Sequence, residues 1–244
     1  MMSPHGPVVA LEAGDGPPLI LLHGLAGSGT WWRRNMAALS AGFRVIAIDL
    51  PGFGMSHPDA RLVLEEAPAQ VAALMAERGI ARAHVIGHSM GGLVAGGLAA
   101  DHPECVDRLV LVDAGFLSLD PAWWHRVTGP LRTLPWTSPS LMPVLLRDMA
   151  RSGVPRMAGA TAALLRIDWG AKLPSIAAPT LVVWGQHDRI CAPRIGEQIA
   201  EAIPSARLVV IAGSGHNPMW EKSADFDREV LAFLREPPRL SDPR

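Results

Sequence analysis

Gly87-His88-Ser89-Met90-Gly91 sets a serine in a Gly-x-Ser-x-Gly frame, and its flanks give the frame a mechanical meaning. Ala83-His84-Val85-Ile86 before it reads as a short, apolar strand, and Gly92 to Ala100 behind it reads as a small-residue helix packed closely on a sheet. A serine on so sharp a strand-to-helix turn holds its hydroxyl exposed. Gly87 and Gly91 are needed because a Cβ at either would collide across the bend. The helix behind Ser89 aims backbone N–H groups and its positive dipole end at the same spot, which suits an oxyanion. A serine hydroxyl is a poor nucleophile near neutral pH and needs a base, with a third group to orient that base. Among nine histidines, His216 in Gly213-Ser214-Gly215-His216 is best placed, because it follows the last apolar run. Asp188, in Trp184-Gly185-Gln186-His187-Asp188, can receive the His216 Nδ1–H and leave Nε2 free for the serine proton. Asp113 also ends an apolar run and competes for that orienting role. The chemistry implied is acyl transfer to water.

These residues need a scaffold that brings strand ends to one rim. Apolar runs bounded by turn residues alternate with helical patterns, the signature of a parallel α/β sheet. The runs are Leu19–Leu22, Arg44–Ile48, His84–Gly87, Arg108–Val112, Thr180–Trp184 and Arg207–Ile211, each stopping at or just before Gly, His or Asp. Ligands bind outside the carboxyl ends of such strands. Helical patterns cover Leu62–Gly79, Arg194–Ile203 and Ser223–Leu234, and the Pro-rich tail from Glu236 is expected to fray.

Residues 114–179 break the rhythm. They hold eight prolines, short amphipathic pieces and four of the eight tryptophans. A structureless loop of that length would be unusual. The expectation is a small helical insertion, a lid starting after Asp113, with 1–113 and 180–244 forming the core. Trp123, Trp124 and Trp136 are candidates to line an apolar substrate cleft; rings that merely pack the lid onto the core are the plainer reading.

Composition narrows the setting. The chain has 244 residues, 49% of them hydrophobic and 18% charged, which suits one globular domain with a large core. A formal net charge of −1 gives no basic footprint for nucleic acid or for a membrane surface. No apolar run is long enough to span a bilayer and no secretory signal opens the chain, so a cytoplasmic enzyme is expected. Cys105 and Cys191 have no metal-site or disulfide-framework spacing. Gly27-Ser28-Gly29 has no P-loop lysine and no dinucleotide fingerprint, so no nucleotide is implied.

Five motifs in order carry a resemblance: His23-Gly24-Leu25-Ala26-Gly27, Asp49-Leu50-Pro51-Gly52-Phe53-Gly54-Met55-Ser56, Gly87-His88-Ser89-Met90-Gly91-Gly92, Trp184 to Asp188, and Gly215-His216. From about Pro17 to Leu234 the chain resembles the lid-bearing α/β-hydrolases. The resemblance implies a mostly parallel twisted sheet flanked by helices. It also implies Ser89 as nucleophile, His216 as general base and then acid, and Asp188 as orienter. The oxyanion hole would use the backbone N–H groups of Leu25 and Met90, with no metal or organic cofactor. It gives His23 a loop-stabilising role, leaves Asp113 as the position where some members carry their acid, and makes His88 an elbow-packing or pocket-wall residue. Asp49 reads as a loop anchor and His187 as a loop histidine.

The expected reaction is hydrolysis of a small apolar ester through an acyl-enzyme. Ser89 excludes the aspartate-nucleophile branches, the haloalkane dehalogenases and epoxide hydrolases, and the chain has no lid tyrosine for the latter. Carbon–carbon hydrolases of aromatic degradation share the triad but typically carry tryptophan directly after the histidine, where Asn217 stands here. Cofactor-free perhydrolases and non-enzymatic small-molecule receptors of the same fold remain alternatives.

Overall fold

The computed structural model describes residues 6–56, 59–116 and 132–237. Seven strands form one sheet in the order β1-β3-β2-β4-β5-β6-β7. They are β1 (Val8–Ala13), β2 (Pro18–Leu22), β3 (Arg44–Asp49), β4 (Ala83–His88), β5 (Val106–Val112), β6 (Thr180–Gly185) and β7 (Ala206–Ile211). The pairings from β3 to β7 are parallel, and β1 runs antiparallel to β3 at the edge. All six expected runs are strands.

The edge strand β1 was not expected. It holds Glu12, is only half-buried along its length, and carries an irregularity between Val9 and Leu11. A half-wet edge strand lacks the continuous apolar run that marks the inner ones.

The alternation of side chains along each inner strand divides the core in two. On β2, Leu19 and Leu21 pack on one face with Trp32, Phe226 and Val230, while Ile20 and Leu22 pack on the other with Val71, Leu93 and Leu98. Both faces are therefore covered by helices, as parallel strands require. The covering helices include α1 (Met36–Ser40), α2 (Ala67–Glu77) and α3 (Met90–Asp101).

Between β5 and β6 the described residues contain no strand. They form two helices, α4 (Met142–Ser152) and α5 (Val154–Arg166), and short 3-10 turns at Leu134–Trp136 and Gly170–Ser175. Pro155 sits in the first turn of α5, where a missing N–H is harmless. The buried Asp148 of α4 ties this segment to the loop after β2, accepting from Ser28 Oγ at 2.8 Å and Trp31 Nε1 at 3.0 Å. Beyond β6 come α6 (Pro193–Ala202), α7 (Pro218–Glu221) and α8 (Ser223–Leu234). Glu236 and Pro237 are not frayed: Arg108 donates to both carbonyls, and Arg207 pairs with the Glu236 carboxylate.

On α8, Asp227 is buried and accepts from Asn35 Nδ2 at 2.8 Å. Burial pushes its carboxyl up to about 6, with the Asn35 hydrogen bond pulling the other way. The folded state therefore binds more protons than the unfolded chain between about pH 4 and pH 6. Stability from the neutral carboxyl is full below that window and is lost as pH rises through it. Asp227→Asn keeps an acceptor for Asn35 and has no charge to desolvate. Thermal melts should show the variant roughly 2–4 °C more stable than the parent at pH 7.5 and nearly equal at pH 4; an equal shift at both would contradict this.

Candidate active site

Ser89 caps α3 directly after β4, with φ 52° and ψ −117°. That left-handed backbone costs a non-glycine residue about 1–3 kcal/mol and persists only where its surroundings enforce it. Here they do. The Ser89 N–H donates to Val112 O at 2.9 Å, and its carbonyl accepts from Gly92, Leu93 and Gly115. The bend is as tight as the sequence implies: a Cβ on Gly87 would lie 2.2 Å from Gly91 O, and one on Gly91 2.5 Å from His23 O.

Three side chains distant in sequence meet at this rim. His216 Nε2 lies 3.0 Å from Ser89 Oγ, and His216 Nδ1 lies 2.7 Å from Asp188 Oδ2. Asp188 is fully buried, and its other oxygen accepts from the N–H groups of Ile190 at 2.8 Å and Cys191 at 3.1 Å. A carboxylate fixed in this way makes Nδ1 the protonated nitrogen and leaves Nε2 as an acceptor for the serine proton.

The competing carboxyl, Asp113, also reaches this rim, but it accepts from Gly185 N at 2.9 Å, and the contact to His216 Nδ1 belongs to Asp188. Burial first, and the neighbouring Asp188 charge second, hold the Asp113 carboxyl well above the usual carboxylate range.

The loop histidines separate cleanly. His23 is buried and bonds Gly24 O through Nδ1 at 2.7 Å, while its Nε2 accepts from Leu50 N–H at 3.0 Å. It braces the loop carrying Leu25. Asp49 likewise anchors, accepting from Gly29 N and Met55 N, both at 2.6 Å. His88 donates from Nε2 to the His216 carbonyl at 2.7 Å, and its pKa is driven well down by burial and then by the nearby His216. His187 stacks on Trp136 with ring centroids 3.6 Å apart.

Leu25 lines the same cavity as Ser89, and Met90 follows Ser89 directly. Met90 is the first residue of α3, and a Cβ on Gly24 would touch Ser89 Cβ at 3.1 Å. Among the described residues neither amide has a backbone acceptor outside regular elements.

Ser89 opens into a cavity of about 510 Å³ whose described wall includes Leu25, Trp31, His88, Met149, Met157, Leu164 and Asn217. No Lys, Arg, Asp or Glu lies on that described wall. Trp136 is not on it either: its ring is taken by His187, and its chain passes 3.0 Å from where a Cβ on Gly215 would lie. Among the described residues the indole on the wall is that of Trp31, held by the Asp148 hydrogen bond. Trp123 and Trp124 lie outside the described residues.

Glu221 is a site residue that sequence reasoning missed. Its Oε2 accepts from Ser214 Oγ at 2.8 Å and Gly215 N at 2.6 Å, fixing the loop that presents His216. A carboxylate five residues after the histidine was the available signal. The donor atoms of Asp188, Cys191 and His216 lie within 4.8 Å of one another, which is metal-like spacing. The Asp188 oxygens are already committed to His216 and two N–H groups, so the set does not fit an ion.

Among the described residues no helix is long and apolar enough to cross a membrane. Comparisons with known proteins agree with this architecture. The chain is 32% identical over 266 residues to 2-hydroxy-6-oxo-6-phenylhexa-2,4-dienoate hydrolase of Comamonas testosteroni, covering 92% of this chain and 90% of that one. It superposes on a hydrolase from Pseudomonas aeruginosa PA01 with a TM-score of 0.80 at 30% identity, covering 93% of each chain. A thermophilic esterase from Thermogutta terrifontis gives a TM-score of 0.79 at 27% identity, over 94% of this chain and 93% of that one. The sequence profile of the Alpha/beta hydrolase family matches residues 19–229. With a mostly parallel seven-stranded sheet, a serine on the elbow after β4 and that match over most of its length, the chain belongs to the Alpha/beta hydrolase family.

Proposed function

We propose that the protein is a carboxylic ester hydrolase working through an acyl-enzyme on Ser89. The observation that carries this reading is the unbroken line Ser89 Oγ–His216 Nε2, His216 Nδ1–Asp188, facing a cavity whose described wall is without Lys, Arg, Asp or Glu. As Ser89 Oγ bonds to the ester carbon, His216 Nε2 takes its proton and Asp188 steadies the imidazolium. The carbonyl oxygen becomes an oxyanion, and the amides of Leu25 and Met90 are proposed to hold it; one such donor is worth roughly 3 kcal/mol of barrier. Collapse breaks the bond to the alcohol oxygen, which leaves with the His216 proton. Water then gives a proton to His216 and attacks the acyl carbon; the Ser89 Oγ–acyl bond breaks, the acid leaves, and His216 returns the proton to Ser89 Oγ.

The inserted segment is proposed as a lid. Met149 of α4 and Met157, Thr161 and Leu164 of α5 form the cavity wall opposite Ser89. Methionine gives such a wall a deformable apolar surface.

Wall chemistry favours neutral esters over the dienoate class named for the Comamonas relative. A dienoate carries a carboxylate, and the described wall offers no Lys or Arg to pair with it. An unpaired carboxylate in an apolar cavity is strongly disfavoured. Purified protein should therefore turn over neutral p-nitrophenyl esters of varied acyl length with a kcat/KM at least about tenfold above that for a vinylogous diketone carboxylate, a margin of roughly 1.4 kcal/mol in barrier. Preference for the diketone would transfer the same triad to carbon–carbon hydrolysis.

A further inference from the structure

A second cavity, of about 730 Å³, lies on the other side of α5. Its walls come from two parts of the fold: the loop after β3, with Gly52, Phe53 and Arg61, and the α4–α5 junction, with Arg151 and Arg156. The helix α5 is a partition. Met157, Thr161 and Leu164 face the cavity at Ser89, whereas Arg156, Gly159 and Ala160 face this one.

Its chemistry is opposite to that of the first. Three guanidiniums line it against one carboxylate, Asp59. Among the described residues Arg61, Arg151 and Arg156 have no hydrogen-bond or ion-pair partner. Arg44, Arg147 and Arg228, by contrast, pair with Glu12, Asp148 and Asp225. Like charges left unneutralised around a concave surface focus the field and draw in counter-ions. The planar guanidinium fork matches phosphoryl oxygens two at a time, which suits a compact oxyanion better than a diffuse one.

We propose that the groove between residues 51–53 and 59–62, after β3, and the α4–α5 junction is a second ligand site, taking a compact phosphoryl polyanion between Arg61, Arg151 and Arg156. Arg61 belongs to the core, and Arg151 and Arg156 to the inserted segment. A bound anion thus ties that segment down on the core, from the side away from Ser89. Its occupancy needs no reaction at Ser89, so the site stands or falls independently of ester hydrolysis.

The test uses inorganic pyrophosphate as probe, against chloride at equal ionic strength, by calorimetric titration and thermal melting. Binding should raise the melting temperature by roughly 2–4 °C at about tenfold over Kd. It should weaken steeply with added salt and persist in Ser89→Ala. The Arg61→Ala/Arg151→Ala/Arg156→Ala variant should lose it, and the corresponding triple lysine variant should bind more weakly than the parent. Should the triple variant fail to fold, Arg61→Ala alone, at an exposed side chain, should still weaken binding severalfold. No binding by the parent overturns the proposal, as does undiminished binding by the alanine variants, which would mark an adventitious ion. A second arm uses phosphatidylcholine vesicles containing phosphatidylglycerol. Arginine-dependent attachment to these, without pyrophosphate binding, would also overturn it and assign the groove to a lipid surface.

Discussion

Ser89→Ala is expected to lower kcat on a p-nitrophenyl ester by about 10⁶-fold while leaving the fold unchanged. Nucleophile and base act as one unit, so deleting either removes nearly the whole covalent route, and about 10³–10⁴ over water remains from oxyanion binding and positioning. The structure explains why stability should survive. Among the described residues the Ser89 hydroxyl makes one hydrogen bond, to His216, whereas the strained elbow is held by backbone hydrogen bonds that alanine preserves. Alanine also keeps the Cβ, so the φ of 52° is no worse tolerated than before. Steady-state rates and a thermal melt on the same preparation check both halves. A variant that retains ester turnover within tenfold of the parent would remove Ser89 from the chemistry.

Asp188→Asn should cost about 10⁴-fold in kcat, and the reason is directional. The Ile190 and Cys191 N–H groups need an acceptor at the Oδ1 position, so the asparagine places its carbonyl oxygen there. Its NH₂ then faces His216 Nδ1, which must accept rather than donate. The proton moves to Nε2, and the imidazole can no longer take the proton from Ser89. Asp113 does not substitute, since burial raises its carboxyl above the usual carboxylate range and its Oδ1 already accepts from Gly185 N–H. Rates recovering to within tenfold of the parent would show Asp113 or solvent orienting His216.

The parallel strands and the three meeting side chains were readable because each depends on a local pattern. Leu19–Leu22 and Leu181–Trp184 are fully buried on both faces, so their sequence is continuously apolar, and each runs into a loop carrying a polar residue of the site, His23 or Asp188. What was not readable is made by contacts across the chain. His88 holds the His216 carbonyl over a separation of 128 residues, and Asp148 orients Trp31 over 117. Nothing near either residue encodes its partner.

Trp136 shows the same limit. The tryptophan-rich segment makes an indole a candidate for the cleft or for packing onto the core, and whether a ring faces the cavity or a neighbour such as His187 is set by tertiary contacts. The cavity wall took Trp31, which sits in a 3-10 turn after β2 and far from the tryptophan-rich segment. Edge strand β1 escaped because its half-exposed residues lack the apolar continuity of the inner strands.

The central claim is that Ser89 is an activated nucleophile, and its most direct test is covalent. Protein treated with a fluorophosphonate should gain one phosphonyl group on the peptide carrying Ser89, read by mass spectrometry, with ester turnover lost in proportion to labelling. Full labelling at another residue, or complete loss of turnover with Ser89 unmodified, would contradict the account.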